Sequence, residues 1–151
     1  MKYHFTFGND EMEGVFAMDT VKEIIEDSAF GVLATVSGSQ PRVRPMAFVL
    51  LEDCILWSST YDISGKVVEF EANDRVEVCF VDSKKRHVRI EGIVDISGGA
   101  KQKETLLKLN PKVGKHFSDG HDPKFVHIEI KPIDVRWKNP GFSEYTRVTV
   151  G

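Results

Sequence analysis

Apolar and polar residues alternate with a period of two along much of this chain, a pattern typical of β-strands that bury one face. The clearest case is HVRIEGIVDI at 87–96, in which Val88, Ile90 and Val94 alternate with polar residues. Gly92 lies inside this segment, and a glycine within a strand often marks a bulge or a sharp bend. The pattern therefore predicts a sheet that curves, as the wall of a barrel must.

Five other segments have the composition of strands and are separated by short turns. The chain shows no regular alternation of strand and helix, so a doubly wound parallel sheet is disfavoured. Six strands joined mainly by hairpins close most readily into a small barrel. The sequence thus predicts a mainly β fold, an antiparallel barrel with helices added. The five other predicted strands cover 31–36, 43–51, 55–59, 75–81 and 125–137.

Three segments have the apolar spacing of helices. In the first, at about 19–28, Thr20 and Glu23 fit a capping box. In the second, at 64–73, Ser64 is a suitable N-cap residue. The further helical predictions are inward-facing Val67, Val68 and Phe70 in the second helix, a third helix at 100–110, and a short helix that starts at Pro111 and ends near 117.

Length, charge and cysteine content limit the classes of protein. No repeat or linker interrupts the 151 residues, so residues 1–151 are expected to form one domain. A net charge of -3 disfavours a general nucleic-acid binder. Cys54 and Cys79 lie in apolar runs without a CxxC motif, which favours reduced core cysteines, although a disulfide between them stays open. No apolar run reaches membrane-spanning length, so a cytoplasmic protein without a membrane partner is expected.

Two stretches, RVRPM at 42–46 and WSSTYDISGK at 57–66, concentrate cationic and hydroxyl side chains. A helix that starts after Ser64 has backbone amides without intrahelical partners, and its dipole favours an anion there. Lys66 in the first turn opposes that dipole unless an anion binds. Arg42 and Arg44 leave the same face of their strand. The pattern indicates a phosphate pocket. A capped helix with a solvated lysine and a polar strand face is the alternative.

The segments GVLATVSGSQPRVRPMAFVL, ILWSSTYDISGK and HVRIEG together resemble the pyridoxamine 5'-phosphate oxidase-like FMN-binding split-barrel family. The resemblance implies a six-stranded antiparallel Greek-key barrel. It also implies a homodimer that binds two FMN molecules in clefts between the subunits. The function it implies is an FMN-dependent oxidoreductase that passes electrons from a reduced nicotinamide to a small acceptor.

Carried over position by position, the resemblance implies a set of cofactor-binding residues in this chain. Phosphate contacts fall on Arg44 and Lys66, and backbone contacts to the flavin ring on Pro45 and Met46. Trp137 falls near the flavin of the other subunit. The resemblance assigns no catalytic acid or base. The remaining implied cofactor residues are Ser59, Thr60, Ser64, Gly65 and His87.

The chain departs from the family pattern at three places, and the last two point away from a true pyridoxamine phosphate oxidase. Gly65 stands where the family has a phosphate-side arginine, and Val49 where those oxidases have a lysine. The C-terminal segment has Arg147 but lacks their Arg-x-His pair. A short, general member of the family is therefore expected. One alternative is a non-catalytic module that binds flavin or haem or has a stress-related role. The other is an F420-dependent reductase.

Polar residues outside this pattern receive simpler interpretations. The cluster His116, Asp119, His121 and Asp122 matches no strong zinc motif, so no metal site is predicted. Glu69 is expected on a helix surface, and His127 at the surface or on a strand face.

Overall fold

The structure, a computed structural model, describes residues 17–150. Eight antiparallel strands form one sheet, and three α-helices and two short 3₁₀ helices join them. The strands are β1 Gly31–Ser37, β2 Gln40–Met46, β3 Val49–Leu50, β4 Leu56–Tyr61, β5 Arg75–Val81, β6 His87–Asp95, β7 Phe125–Lys138 and β8 Thr146–Val148. The helices are α1 at 17–27, α2 Gly65–Ala72 and α3 Ala100–Leu109, with 3₁₀ turns at Glu52–Cys54 and Pro111–Lys115.

The sheet curls because its two end strands are neighbours in the sequence. The strand order is β2-β1-β5-β6-β7-β4-β3, with β8 paired to β7. Only Ala47 and Phe48 separate β2 from β3, so the Cα atoms of Met46 and Val49 can be at most about 11 Å apart at 3.8 Å per residue. The Ser58 hydroxyl on β4 donates a hydrogen bond to the Ala47 carbonyl at 2.7 Å. The sheet edges therefore approach each other, and the expected mainly β, antiparallel barrel-like fold is confirmed.

The expected number of six strands is too low by two. The predicted strand at 43–51 divides into β2, which pairs with β1, and β3, which pairs with β4. The chain has to leave one edge of the sheet there and join the other. The second addition is the short β8, which pairs with β7 through Arg147 and Arg136.

The inner face of the sheet carries the alternation that the sequence predicts. Val88, Ile90 and Val94 are buried in the barrel core, and the β6–β7 register shifts at Gly92. A β-carbon at Gly92 would lie 2.5 Å from Ile130 Cγ2 and 2.8 Å from the Lys131 carbonyl oxygen. The predicted bulge is therefore confirmed, and it requires glycine because two segments of backbone approach closely.

A second apolar cluster packs on the outer face of the sheet. Leu106 of α3, Val113 of the following 3₁₀ segment, Phe117 just after that segment and Phe125 of β7 are buried together, with Trp57 partly buried against them. The predicted helix break at Asn110 and Pro111 is present. It lets the 3₁₀ segment turn back over β4, which creates the site described below.

Several local predictions were wrong. Thr20 is not the N-cap residue of α1, because residues 17–20 are already helical. Val68 is 68% exposed, since it lies about 200° around α2 from the buried Phe70. Cys54 lies in a 3₁₀ turn with φ 58° instead of a strand.

Both Cys54 and Cys79 are free thiols, as expected for reduced cysteines. Among residues 17–150, no helix is long and apolar enough to cross a membrane.

Candidate functional site: a cavity between β4, α2 and the 3₁₀ segment

A cavity of about 350 Å³ lies between β4, the start of α2 and the 3₁₀ segment that follows α3. Its volume falls in the range of small-molecule sites, which is roughly 300–1,000 Å³. Along β4 the lining changes from the apolar pair of Trp57 and Val49 to the hydroxyls of Ser59 and Thr60, which precede α2. The residues that line it are Met46, Ala47, Val49, Trp57, Ser58, Ser59, Thr60, Tyr61, Lys66, Leu106, Asn110, Lys112, Val113, His116 and Phe117.

Ser64 caps α2 as the sequence predicts. Its hydroxyl accepts a hydrogen bond from the Lys66 amide at 3.2 Å, and the Val67 amide donates to the Ser64 carbonyl at 3.1 Å. Two of the amides that were expected to be free for an anion therefore already have partners. The groups left for an anion here are the Lys66 side chain and the hydroxyls of Ser59 and Thr60.

Lys66 is a half-buried cation without an ion-pair partner in the described part of the chain. Burial lowers the pKa of its ammonium group, the positive charge of Arg44 lowers it further, and Glu69 opposes both effects. Burying a charge costs free energy unless it is paired. An anion in the cavity would supply the missing partner, so the residues present fit a phosphate group.

Arg44 lies behind the cavity and does not line it. Its guanidinium donates to Glu69 Oε2 at 2.7 Å and to the Thr35 hydroxyl at 2.6 Å. Arg42 approaches the other oxygen of Glu69 at 3.4 Å. Two arginines thus share one carboxylate, and this cluster keeps one net positive charge beside Lys66. The sequence did not reveal it, because a glutamate on a helix is usually solvated.

The structure brings only some of the predicted cofactor residues together. Met46, Ser59, Thr60 and Lys66 line the cavity. Besides Arg44, three predicted residues of β2 and of the start of α2 do not line the cavity. These three are Pro45, Ser64 and Gly65.

His87 and Trp137 are remote from the cavity of the same chain. The β4 residues of the cavity pair with residues 125–129 of β7, whereas Trp137 pairs with Val88 and Thr146. Trp137 follows Glu129 by eight residues, or roughly 26 Å along a strand. The assignment of Trp137 to the cofactor of another subunit stays a prediction.

Basic side chains surround Tyr145 near His87. The sequence analysis did not single out this tyrosine. Its hydroxyl lies 2.8 Å from His87 Nε2, and its ring centroid lies 5.0 Å from the Arg136 guanidinium and 5.6 Å from the Lys138 ammonium. Burial and then the charges of Lys138 and Arg89 lower the pKa of His87. The imidazole is therefore neutral at pH 7.

The lining of the cavity includes two further basic residues that the sequence analysis did not assign to it. Lys112 and His116 lie on the 3₁₀ segment and its end, and both line the cavity. The hydroxyl of Tyr61 lies 3.1 Å from His116 Nδ1. Within residues 17–150, no group of three or more His, Cys, Asp or Glu side chains could hold a metal ion.

Trp57 is one of the aromatic residues that line the cavity, and residues of β7 fix its position. Its indole N–H donates to Glu129 Oε2 at 2.9 Å, and its ring packs edge-on against His127 with 4.5 Å between centroids. His127 is 1% exposed, and neither ring nitrogen has a hydrogen-bond partner within the described residues. Burial lowers the pKa of His127, so a neutral ring packs against the indole.

Comparison with known proteins shows the family to which the chain belongs. The family model for pyridoxamine 5'-phosphate oxidase matches residues 17–139. The chain therefore belongs to this family, and the similarity recognised from its sequence motifs is confirmed.

Individual relatives agree with that assignment. General stress protein 26 of Bacillus subtilis (strain 168) is 27% identical over 128 residues, which cover 80% of this chain and 87% of that protein. The crystal structure of General Stress Protein 26 from Bacillus anthracis str. Sterne is 25% identical, with a TM-score of 0.70 over 86% of this chain and 97% of that one. A NimC/NimA family protein from Clostridium acetobutylicum shares the fold at 22% identity and a TM-score of 0.74, covering 87% and 91% of the two chains.

The same fold is found in proteins with other cofactors. An F420 reductase matches with a TM-score of 0.61 and 23% identity over 76% of this chain and 94% of its own. A heme binding protein from Mycobacterium smegmatis matches with a TM-score of 0.68 and 16% identity over 83% and 55%. Likeness at this level of identity concerns the fold alone.

Proposed function

We propose that this chain is an FMN-binding flavoprotein that passes electrons from a reduced nicotinamide to a small acceptor. The observation that carries the proposal is the half-buried, unpaired ammonium of Lys66 at the polar end of a cavity of about 350 Å³. A phosphate bound there would pair with it, and the apolar end would accept an aromatic ring. Family membership supports the same cofactor.

The residues of the cavity divide into two groups in this proposal. Lys66 and the hydroxyls of Ser59 and Thr60 would bind the phosphate, and Met46 and Trp57 would border the flavin ring. The bound flavin would supply the two-electron chemistry. The protein would orient the ring, exclude water from its apolar face and hold the phosphate.

A homodimer with FMN at the subunit interface is part of the proposal. His87 and Trp137 lie too far along the sheet to contact a ligand in the cavity of their own chain. A second subunit is needed if they are to border the cofactor. Sedimentation should give a dimer, and a monomer with full FMN occupancy would contradict this part.

Pyridoxamine 5'-phosphate is expected to be a poor substrate. Val49 lines the cavity with an apolar side chain, so no cation at this position can bind a substrate phosphate. A lost charged contact of about 1.5–3 kcal/mol lowers affinity by roughly 10–100-fold. Turnover as fast as the reduction of a general acceptor would contradict the expectation.

The experiment starts with release and identification of the chromophore of the purified protein. FMN supports the proposal, whereas F420 or haem would favour one of the alternative modules. Bleaching of the bound flavin by a reduced nicotinamide then tests the electron donor. Finally, Lys66→Ala should weaken FMN by about 3–30-fold and leave riboflavin, which lacks the phosphate, within about twofold. Equal effects on both ligands would contradict the phosphate assignment.

A further inference from the structure

Of the positive charge described so far, only that of Lys66 lies in the cavity lining, because the cluster of Arg42, Arg44 and Glu69 keeps its one net charge outside the lining. A phosphate monoester carries about -1.5 to -2 charges at pH 7. Lys66 supplies one positive charge on the near side of the cavity. The two arginines behind it share the carboxylate of Glu69, and the donors of Arg44 are directed at Glu69, Thr35 and the Leu33 carbonyl. A second group within the cavity would complete the pairing.

The 3₁₀ segment, which belongs to a different part of the chain from Lys66, offers two such groups. Lys112 and His116 are four residues apart on the segment that begins at Pro111, and both line the same cavity as Lys66. Neither makes an ion pair with a carboxylate within residues 17–150. Val113 and Phe117 are the residues that follow them, and both are buried in the outer apolar cluster. The apolar pair therefore fixes the segment, and the polar pair is left at the cavity.

Tyr61 orients the imidazole of His116. The tyrosine hydroxyl lies 3.1 Å from Nδ1. When the hydroxyl donates to Nδ1, the neutral ring carries its proton on Nε2, which is then a free donor. His116 can thus donate a hydrogen bond to an anion without being charged.

We propose that Lys112 and His116, which line the same cavity as Lys66, bind the phosphate of the cofactor together with it, so that the anion contacts both α2 and the 3₁₀ segment. This inference rests on the proposed FMN function. It adds a second set of contacts, from a different element of the fold, which the sequence motifs do not contain. It also gives the helix break at Asn110 and Pro111 a role, since the break directs this segment over β4.

The test is equilibrium binding of FMN and of riboflavin to the full-length protein after removal of its cofactor. Lys112→Ala should raise the Kd for FMN by about 3–10-fold, because an exposed ammonium is partly screened by water. His116→Ala should raise it by about 3–10-fold through loss of one hydrogen bond. Riboflavin affinity should stay within about twofold for both variants.

Lys115→Ala is the matched control. Lys115 lies on the same segment and is also exposed, but it does not line the cavity. Its replacement should leave the Kd for FMN within about twofold. An effect equal to that of Lys112→Ala would show a general attraction between a basic surface and an anion, and it would overturn the inference.

A double-mutant cycle tests the orientation of His116. Tyr61→Phe should weaken FMN in the wild-type background and have little further effect in His116→Ala, since the hydroxyl acts through the imidazole. Additive effects would contradict this role of Tyr61.

The outcomes separate this inference from the proposed function. If Lys66→Ala discriminates FMN from riboflavin and the Lys112 and His116 variants do not, the second set of contacts is wrong and the function stands. If the wild-type protein binds neither FMN nor riboflavin, both proposals are wrong. If the Lys112 and His116 variants lose both ligands equally, these residues support the ring or the fold.

Discussion

Glu69 Oε2 accepts a hydrogen bond from Arg44 Nη2 at 2.7 Å, which joins α2 to β2. The same oxygen accepts from the Thr35 hydroxyl of β1 at 3.1 Å. The side chains of Arg44 and Glu69 are only 22% and 11% exposed, so this pair is shielded from water far more than a surface salt bridge. The arginine expected to bind the phosphate is therefore also a structural link between three elements.

Arg44→Ala should affect both stability and FMN affinity. It leaves the carboxylate of Glu69 with fewer partners in a partly buried place, which should lower the free energy of unfolding by about 1–3 kcal/mol in a chemical denaturation experiment. It also removes positive charge next to Lys66. The substitution should therefore lower the affinity for FMN more than the affinity for riboflavin. Arg42→Ala is the control for charge alone, because Arg42 is 56% exposed and should cost less stability. An unchanged stability in Arg44→Ala would contradict the structural part.

Glu69→Gln should have opposite effects on binding and folding. The substitution removes a negative charge that acts on Lys66 and keeps the shape of the side chain. FMN should bind a few-fold more tightly relative to riboflavin, while the free energy of unfolding should fall by about 1–2 kcal/mol through loss of a charge-assisted pair. Flavin fluorescence titration measures the first effect and denaturant unfolding the second. Weaker FMN binding with unchanged riboflavin binding would show that Glu69 directs Arg44 toward the ligand instead of competing with it.

Local features of this fold could be predicted from the sequence because they depend on short-range rules. The alternation in β6, the bulge at Gly92, the cap at Ser64 and the break before Pro111 each follow from a few neighbouring residues. The links across the fold could not be predicted in the same way. Glu69 meets Arg44 over 25 positions, and the sequence analysis placed Glu69 on a helix surface.

The candidate site shows the same division. Lys66, Ser59 and Thr60 lie close together in the sequence and could be recognised as one motif. Lys112 and His116 reach that site only because the 3₁₀ segment folds over β4, and a lysine or histidine in a polar segment gives no signal of this kind. The packing of the outer apolar cluster decides which residues complete the cavity.

A pair of glycine substitutions tests the bulge against the helix start. Gly92→Ala should be strongly destabilising, by about 2–4 kcal/mol, because the new methyl group would meet Ile130 and the Lys131 backbone at less than 3.0 Å. Gly65 lies in α2, and a β-carbon added at this position has no heavy atom within 4 Å. It should be neutral or stabilising by up to about 1 kcal/mol, since alanine restricts the unfolded chain. Thermal and denaturant unfolding measure both, and equal stability of the two variants would contradict the close approach at Gly92.

His127 should make the stability of the protein fall in mild acid. Its folded-state pKa is lowered, first by burial and then by the charge of Lys103 on α3, while Glu129 on β7 and Asp95 on β6 act in the opposite direction. The unfolded chain, with an ordinary histidine pKa of about 6.5, therefore binds the proton more readily than the folded chain. The stabilising contribution is fully present above about pH 6.5 and is lost as the pH falls toward the lowered folded pKa.

Denaturant unfolding between pH 5 and 8 should show this decline in stability, and His127→Phe, which keeps a ring against Trp57, should reduce its slope. His87 also has a lowered pKa, so His87→Asn in the same series separates its share. His121→Asn is the control at an exposed position and should leave the slope unchanged. A slope in His127→Phe equal to that of wild type would show that the buried imidazole does not set the acid sensitivity.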